Sequence, residues 1–405
     1  MQTNLADRFK NTVIGQEAEA VLRNCVHCGF CNATCPTYLL LGDELDGPRG
    51  RIYLIKQLLE GATATQSTQL HLDRCLTCNA CETTCPSGVE YHKLLEIGRG
   101  LVSQQLPRSL LQRLIRKLIL LLADKRKAAF LFWVGRVAAP LLPAKLKRHI
   151  PEKSTTLFPA TATHNRKMLL LDGCVQPGAS PQINAAAAHV FDRLEIQLIS
   201  VKQSGCCGAL QHHLDDPEGA LQRARNNIDA WWPLIRQGAE AIVITASGCA
   251  PMVKDYGRLL AHDDAYSDRA AKVSSLARDL GEVLQKEAIP ALKLEKRRRI
   301  AFHAPCTLQH GQGLAGVVES ILDRLGFELT EVVDAHLCCG SAGAWSILHP
   351  ELSGQLKTNK LNNLQRQQPE LIATANIGCL LHLQSESQVP VVHWIELISG
   401  GLRPM

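Results

Sequence analysis

The sequence predicts an α+β protein in which a mainly α-helical domain is followed by two small α/β domains that repeat each other. Two observations predict this order. The first hundred residues carry the same cysteine pattern twice, with a helical stretch at 51–61 between the two copies. From residue 166 onward, short apolar runs alternate with helical patterns, and the whole arrangement occurs twice. We therefore expect a helical domain at 1–105, a basic bridge and linker at 106–165, and repeats at 166–288 and 289–405.

Composition narrows the class of protein. The chain has 405 residues, of which 46% are hydrophobic and only 4% aromatic, so a large core is expected and a stacking surface for nucleic acid is not. The N-terminal residues MQTNLADRFKNT lack the apolar core of a signal peptide, which favours a cytoplasmic location. In a reducing compartment, the 16 cysteines indicate metal binding rather than disulfides.

The N-terminal domain starts with apolar residues at helical spacing, Leu5, Phe9 and Val13, which predict a helix ahead of the cysteines. The helical stretch at 51–61 follows the loop DGPRGR at 46–51. Arg49 and Arg51 in this loop allow two interpretations. They can assist electron transfer or the docking of a partner, or they can serve only the start and packing of the helix, which we favour.

Eight cysteines in this domain follow one spacing, C-x₂-C-x₂-C-x₃-C-P. Three closely spaced thiolates wrap around one cubane cluster, whereas the cysteine before proline ligates the other cluster in two-cluster ferredoxins. The spacing therefore predicts a dicluster ferredoxin domain with two [4Fe–4S] clusters. Structural zinc is the alternative, but zinc sites usually use two separated pairs of cysteines rather than three within seven residues. The predicted ligands are Cys25, Cys28, Cys31 and Cys85 for one cluster, and Cys75, Cys78, Cys81 and Cys35 for the other.

The bridge at 106–165 concentrates positive charge. Residues 106–150 hold eleven Lys/Arg and one Asp, a local charge of +10 in a chain of net charge +6. Residues 110–127 are predicted to form one basic amphipathic helix, and 154–165 are predicted to be a linker. The apolar run at 128–143 is shorter than the roughly 20 residues that a membrane-spanning helix needs. The bridge can contact a membrane surface, which we favour, or pack as a helical collar on the ferredoxin domain or a partner.

The second half is an internal duplication with eight further cysteines. Cys306 follows Cys174 by 132 residues, Cys338 follows Cys206 by 132, and Cys379 follows Cys249 by 130. Each cysteine follows a predicted strand, and such positions gather at one edge of a parallel sheet, where further clusters can bind. We expect Gly208 and Gly340 to let the backbone pass close to a cluster. The candidate ligands are Cys174, Cys206, Cys207 and Cys249 in the first repeat, and Cys306, Cys338, Cys339 and Cys379 in the second.

The paired Cys…Cys-Cys-Gly…Cys repeats resemble the cysteine-rich domains of heterodisulfide reductases. Together with the dicluster ferredoxin domain and the Gly-Pro-Arg-Gly-Arg loop, the layout resembles the iron–sulfur subunit of bacterial glycolate oxidase over residues 20–400. It is also similar to subunits of anaerobic glycerol-3-phosphate dehydrogenase and of lactate-utilisation systems. The fullest form of the repeat ends in Cys-x-x-Cys, whereas this chain has Met252 and His382 at the last position. His382 is a candidate ligand, and Met252 is expected to pack.

The resemblance implies an electron-transfer subunit of an oxidoreductase complex. A flavoprotein partner would carry FAD and oxidise glycolate or another 2-hydroxy acid. This chain would relay electrons to a membrane acceptor such as quinone, at the cytoplasmic side of the inner membrane, and would hold no catalytic residue of its own. The glycines Gly311, Gly313 and Gly316 match a dinucleotide motif, but Cys306 separates them from the preceding strand, so no FAD site is expected here.

Three alternatives stay open at this point. The flavoprotein donor can instead oxidise lactate or glycerol 3-phosphate. The Cys-Cys-Gly sites can act as a thiol–disulfide reductase, which Met252 and His382 argue against. His303, near the end of a predicted strand, can hydrogen-bond a cluster sulfur or quinone, although a structural role is the more common one for a single histidine.

Overall fold

The computed structural model describes residues 1–143, 147–148, 150–151, 162–287, 292, 294 and 298–402. These residues form two compact units, one made of residues 1–115 and 336–360 and the other of residues 116–335 and 361–405. Most of the predicted linker at 154–165 lies outside the described residues. The expected α+β class is confirmed, because helical segments precede two small parallel sheets. The domain boundaries at 105, 165 and 288 stay predictions.

The N-terminal part of the first unit is built from helices around one apolar core. Leu5 and Phe9 are buried in this core, but Leu5 lies in an irregular segment and Phe9 in a turn, and the helix begins only at Val13. Thr12 sets this start because its side chain accepts a hydrogen bond from the backbone N–H of Gly15. The helices are Val13–Asn24, Pro36–Leu41, Pro48–Leu59, Gln66–Asp73, Ala80–Thr84 and Tyr91–Gln105, with 3-10 turns at Phe30–Thr34 and Glu44–Asp46.

The bridge differs from the single helix predicted for 110–127. A helix at Leu110–Leu120 ends in a 3-10 turn at Leu121–Ala123, and a second helix, Lys125–Ala138, follows and leads into a 3-10 turn at Ala139–Leu141. The break has a local cause. The side chain of Asp124 accepts hydrogen bonds from the backbone N–H groups of Arg126 and Lys127 and so starts a new helix. No helix among the described residues is long and apolar enough to cross a membrane.

The two repeats form two four-stranded sheets with the same topology. The first sheet has the order β2-β1-β3-β4 and the second has the order β6-β5-β7-β8, and all strand pairs in both are parallel. The strands are β1 Arg166–Leu170, β2 Ile196–Ser200, β3 Ile242–Ile244, β4 Ala277–Asp279, β5 Arg299–His303, β6 Glu328–Leu329, β7 Leu371–Thr374 and β8 Val391–His393. The predicted duplication is therefore confirmed in the fold.

Helices follow the strands in both repeats, as expected for parallel connections. In the first repeat they are Gln176–Ala179, Gln182–Asp192, Ala209–His213, Pro217–Arg236, Ala250–Lys254, Tyr256–Leu259, Ser267–Leu276 and Leu280–Leu284. In the second they are Cys306–Gln309, Val317–Arg324, Trp345–Leu348, Pro350–Gln365, Ile377–Gln384 and Trp394–Gly401. The core of the first repeat centres on Trp231 and Tyr256, both fully buried.

The fourth strand of each sheet was not predicted from the sequence. Each ends on a residue that caps the next helix: Asp279 forms a capping box with Glu282, and His393 forms one with Glu396. His393 is buried, and its Nε2 lies 2.9 Å from the carbonyl oxygen of Thr245 in the first repeat. Burial lowers the pKa of His393 to about 4, so the ring is neutral and ties the second repeat to the first.

Candidate metal centres

The two cysteine loops of the first unit have the same backbone shape. His27 and Gly29 have φ angles of 59° and 88°, and Thr77 and Asn79, fifty residues later, have φ angles of 56° and 58°. These left-handed residues turn the chain around the sulfurs. The N–H of Thr77 donates to the sulfur of Cys75 at 3.5 Å, and the N–H of His27 makes the same bond to Cys25. Amide donors to sulfur are a feature of iron–sulfur sites.

The sulfurs of this unit fall into two groups. Burial raises the pKa of Cys31 to about 11, and the neighbouring Cys25, Cys85 and Cys28 raise it as well, so these four residues lie together. We call Cys25, Cys28, Cys31 and Cys85 the first sulfur set. All four line one concavity, whose empty space, partly open to solvent, is about 430 Å³.

The second sulfur set consists of Cys35, Cys75, Cys78 and Cys81. Burial raises the pKa of Cys81 well above its usual value, and Cys78, Cys75 and Cys35 raise it as well. The two sets differ in exposure. Cys28 of the first set is exposed to solvent, whereas three members of the second set are at most 8% exposed and Cys78 is intermediate. Each set thus brings together the cysteines that the spacing predicts, and four thiols around a small space fit a cubane cluster.

Next to the second sulfur set, the loop residue Arg51 is buried. Its side chain is 1% exposed and its Nη1 donates to the sulfur of Cys35 at 3.9 Å. The Nε donates to the carbonyl oxygen of His71 at 2.7 Å. Arg49, by contrast, is 34% exposed, pairs with Glu44 and lines the concavity of the first sulfur set. Arg51 thus packs in the core, which is the role we favoured from the sequence, and it also contacts the sulfur of Cys35.

The four cysteines of the first repeat are joined through their sulfurs. Cys206 hydrogen-bonds with Cys174 and Cys207, and Cys207 also hydrogen-bonds with Cys249. The bond with Cys174 holds the pKa of Cys206 well below its usual value, and the bond to Cys206 raises that of Cys207. The set lies beyond the carboxyl ends of β1, β2 and β3, where the strand order reverses and ligands usually bind in such sheets.

Two polar residues that the sequence analysis missed hold the Cys-Cys segment of this repeat. Asn227 Nδ2 donates to the carbonyl oxygen of Cys206 at 2.9 Å, and Tyr256 Oη donates to that of Cys207 at 2.7 Å. Both side chains are buried. The signal for Asn227 was present in the sequence, because it is the polar member of the apolar stripe of the helix Pro217–Arg236.

The glycine after each cysteine pair also has a packing role that the sequence analysis did not predict, whereas its expected closeness to a cluster stays a prediction. Gly208 and Gly340 have φ angles of 96° and 88°, which favour glycine. A Cβ on Gly208 would lie 3.0 Å from the carbonyl oxygen of Ala220, and one on Gly340 would lie 2.8 Å from that of Ser353. Gly208 therefore allows close packing against the helix Pro217–Arg236, and Gly340 against the helix Pro350–Gln365. Met252 packs at the same place, in the core of the repeat, as expected.

The cysteines of the second repeat are divided between the two units. Cys306 and Cys379 belong to the unit of residues 116–335 and 361–405, and Cys338 and Cys339 belong to the other. A ring nitrogen of the buried His303 lies within 4.8 Å of the sulfur of Cys379. His382 is half-buried on the helix Ile377–Gln384. His303, the last residue of β5, thus lies close to Cys379. The sequence analysis favoured a structural role for this histidine.

Comparison with known proteins agrees with this arrangement. Residues 21–89 match the family described as a 4Fe-4S dicluster domain, and residues 168–254 and 300–384 both match the cysteine-rich domain. The fold and its sites therefore define an iron–sulfur protein with one dicluster domain and two cysteine-rich domains.

The full-length relatives define the family further. The chain is 53% identical over 405 residues to the glycolate oxidase iron-sulfur subunit of Escherichia coli (strain K12), covering 99% of both chains. It is 28% identical over 398 residues to the probable glycolate oxidase iron-sulfur subunit of Bacillus subtilis (strain 168), covering 90% of this chain and 89% of that one. Lactate utilization protein A of Exiguobacterium sp. is 22% identical over 57% of this chain and 96% of its own. The chain belongs to the family of glycolate oxidase iron–sulfur subunits, which confirms the resemblance.

Proposed function

We propose that this chain is the electron-transfer subunit of a flavin-dependent glycolate oxidase complex. The observation that carries the proposal is the pair of four-sulfur sets in one small domain, each with the cross-ligation pattern of a two-cluster ferredoxin. The identity of 53% to the E. coli subunit over 99% of the chain supports glycolate as the substrate of the complex. The relatives named for lactate utilization are 20–26% identical over 50–58% of this chain, which supports lactate less well.

The first and second sulfur sets each hold one [4Fe–4S] cluster in this proposal. Such a cluster supplies reversible one-electron transfer. The chain's own residues provide four thiolates per cluster, the amide N–H groups of His27 and Thr77 as donors to sulfur, and a partly apolar surrounding. These groups fix the geometry of the sulfurs and keep water away from the second set more completely than from the first.

Electrons would enter from a flavoprotein partner. Cys28 is exposed, and the side chains of Val26 and Phe30 beside it are 69% and 63% exposed, which gives a partner an apolar surface close to the first sulfur set. The glycine motif at 311–316 follows the short helix Cys306–Gln309 rather than a strand, so it lacks the setting of a dinucleotide site. We therefore place the FAD and the oxidation of substrate in the partner.

The first repeat offers a third place for a cluster. Its four joined sulfurs match the donor set of an ordinary four-thiolate cluster, with Cys206 and Cys207 buried and Cys174 and Cys249 partly exposed. A cluster here would lengthen the relay, and Cys306, Cys338, Cys339 and Cys379 of the second repeat stay candidate ligands on the strength of the sequence alone. The same sulfurs without metal would favour the thiol–disulfide alternative.

The bridge supports delivery of electrons at a membrane. Ile119, Ala123 and Ala128 are buried, and Arg136 Nη2 donates to the carbonyl oxygen of Gly178 at 2.9 Å, so one side of the bridge packs on the first repeat. The other side is what we call the apolar bridge face. Its members are large exposed apolar residues: Leu118, Leu121, Phe130, Leu131, Trp133, Val134, Val137 and Leu141.

Exposed cations flank this face at Lys117, Arg126 and Lys127. Apolar side chains that insert at the headgroup boundary, flanked by cations, are the features of a peripheral membrane surface on anionic lipid. We propose that the apolar bridge face rests on the cytoplasmic side of the inner membrane. A membrane-soluble acceptor such as quinone would then receive the electrons there.

The test uses the complex as it exists in cells. A tagged chain is purified anaerobically from a host that lacks its own glycolate oxidase but coexpresses the flavoprotein of a glycolate oxidase complex, and each candidate substrate is added. We expect a flavoprotein to copurify, and glycolate to bleach the visible iron–sulfur absorbance faster than lactate or glycerol 3-phosphate does. The matched control, Cys25→Ala in the same complex, removes the cluster at which electrons enter, so it should keep flavin reduction and lose the bleaching of the iron–sulfur absorbance. Faster bleaching by lactate or glycerol 3-phosphate would overturn the assignment to glycolate.

A further inference from the structure

The two arginines of the loop at 46–51 lie beside different sulfur sets. Arg49 lines the concavity of the first set, and its Nη1 would lie 2.7 Å from a Cβ added to Gly29, between Cys28 and Cys31. Arg51, two residues later in the helix Pro48–Leu59, contacts the sulfur of Cys35 in the second set. One helix start therefore directs one cation to each set.

The surroundings of the two arginines differ. Arg49 is 34% exposed and forms an ion pair with Glu44, which is 42% exposed, so water and a carboxylate both weaken its field. Arg51 is 1% exposed, and a charge in so little water acts more strongly on its neighbours. A guanidinium keeps its charge in proteins, and here it donates to the carbonyl oxygen of His71 and lies 3.5 Å from Asp46 Oδ1, so Arg51 stays charged although it is buried.

A buried network fixes the position of Arg51. Its Nη2 donates to Thr37 Oγ1 at 3.1 Å and lies 3.5 Å from Asp46 Oδ1. Asp46 is fully buried and also accepts a hydrogen bond from Arg74 Nη1 at 2.7 Å, while His71 Nδ1 lies 3.0 Å away. Two arginines thus share the one buried carboxylate of Asp46, whereas the nearby carboxylate of Asp43, within 4.8 Å of Asp46, is exposed, so water weakens its field. A cluster ligated by Cys35 would lie beside the charge of Arg51.

A nearby positive charge favours the reduced form of a four-thiolate cluster, because reduction makes the cluster more negative. Burial acts in the opposite direction, since it disfavours the more highly charged reduced form. The second sulfur set is the more buried one, so without a cation its cluster would be the harder to reduce.

We propose that Arg51 is a positioning residue that raises the reduction potential of the cluster at the second sulfur set and so draws electrons inward from the exposed first set. The proposal rests on the ligand sets given under the proposed function. In this proposal, the Gly-Pro-Arg-Gly-Arg segment tunes a reduction potential in addition to starting a helix. The proposal also predicts opposite effects for the two charged partners in the buried network, which a purely structural role would not produce.

The experiment is an EPR-monitored redox titration of the full-length chain, purified anaerobically, with iron and acid-labile sulfide measured on every sample. Arg51→Gln removes the charge and is expected to make reduction of one cluster about tenfold less favourable, a shift of about 59 mV downward for a one-electron couple. The other cluster should keep its potential. Asp46→Asn leaves the arginines uncompensated and is expected to shift the same cluster upward.

Two variants serve as controls. Arg51→Lys keeps the charge and should lower the potential less than Arg51→Gln does. Arg49 lies beside the first sulfur set, so Arg49→Gln should leave the reduction potential of the second-set cluster unchanged. Any change in potential should affect the first-set cluster only.

The outcomes separate this proposal from the one it rests on. A wild-type chain without two titrating clusters would overturn the ligand sets. A wild-type chain with two clusters whose potentials stay unchanged in Arg51→Gln, or shift equally, would overturn the role of Arg51. If Arg51→Gln fails to take up iron, the reduction potentials of Asp46→Asn and Arg51→Lys test the role of Arg51 instead. A potential of the second-set cluster that falls or stays unchanged in Asp46→Asn would contradict the proposal.

Discussion

At the scale of single residues, the cysteine loops hold backbone conformations that ordinary side chains avoid. His27 and Thr77 have φ angles of 59° and 56°, and such left-handed positions cost roughly 1–2 kcal/mol each for residues other than glycine. Both conformations turn an N–H toward the sulfur two residues earlier. The cost is therefore offset where the loop encloses a negatively charged group that accepts those hydrogen bonds.

The cross-ligation pattern makes a prediction that two double variants can test. Cys25→Ala with Cys85→Ala removes two cysteines from the first sulfur set only, so about four irons per chain should remain, as one intact cluster. Cys25→Ala with Cys35→Ala removes the same number of cysteines but one from each set, so both clusters should be damaged and less iron retained. Iron and sulfide analysis with EPR of the reduced proteins measures the difference. Equal iron in the two variants would contradict the assignment.

The residues that sequence reasoning found and those it missed differ in a physical way. The cysteines were predictable because ligand spacing is fixed by the size of the group that they surround. Asp46 and His71, which lie beside Arg51, were not, since a buried polar network depends on long-range contacts that leave no local pattern. Asn227 was partly predictable, because the sequence shows it on an apolar stripe of its helix, but the sequence alone did not indicate that its side chain would hydrogen-bond the Cys-Cys segment.

At the scale of secondary structure elements, the sequence-based prediction was wrong where a single side chain ends a helix that the pattern of apolar residues would continue. The apolar and basic period at 110–127 runs on without interruption, but Asp124 caps a new helix and divides it. The strands β4 and β8 have three residues each, and no cysteine follows them, whereas a cysteine after the apolar run marked the strands that were predicted. The capping boxes Asp279–Glu282 and His393–Glu396 mark the starts of the helices that follow these strands.

The apolar bridge face predicts binding to anionic lipid. Changing Phe130, Trp133 and Val137 together to serine removes three large exposed side chains, so the fraction of protein bound to phosphatidylglycerol vesicles should fall about tenfold in a sedimentation assay. The matched control is Val13→Ser with Ile14→Ser, because these residues are 62% and 51% exposed but lie outside the bridge. Undiminished binding by the triple variant, or no binding by the wild-type chain, would contradict the membrane proposal.

At the scale of the whole molecule, the order of the parts was predictable and the tertiary grouping was not. The duplication offset of 132 residues identified two α/β repeats, and both have the same strand order. Sequence gave no sign that residues 336–360, which carry the Cys-Cys-Gly segment of the second repeat, belong to the same compact unit as residues 1–115. Within the other unit, the loops after β3 and β7 meet directly, as the N–H of Ser247 donates to the carbonyl oxygen of Ala375 at 3.0 Å.

This contact brings equivalent parts of the two repeats together. The N–H of Gly248, next to Cys249, donates to the Asn376 side chain at 3.3 Å, and Asn376 Nδ2 donates to the sulfur of Cys379 at 3.4 Å. The cysteine-bearing loops of the two repeats are thus connected through one asparagine. Pairing of equivalent loops in this way brings Cys249 and Cys379, the last cysteines of the two repeats, near each other.

The central claim is that the N-terminal domain holds two [4Fe–4S] clusters, and the most direct test is the iron and acid-labile sulfide content of the anaerobically purified chain, with EPR of the reduced protein. We predict at least about eight irons and eight sulfides per chain, with the signals of two interacting clusters. More than eight would place further clusters in the cysteine-rich repeats. Zinc without sulfide, or about four irons in a fully loaded preparation, would contradict the account.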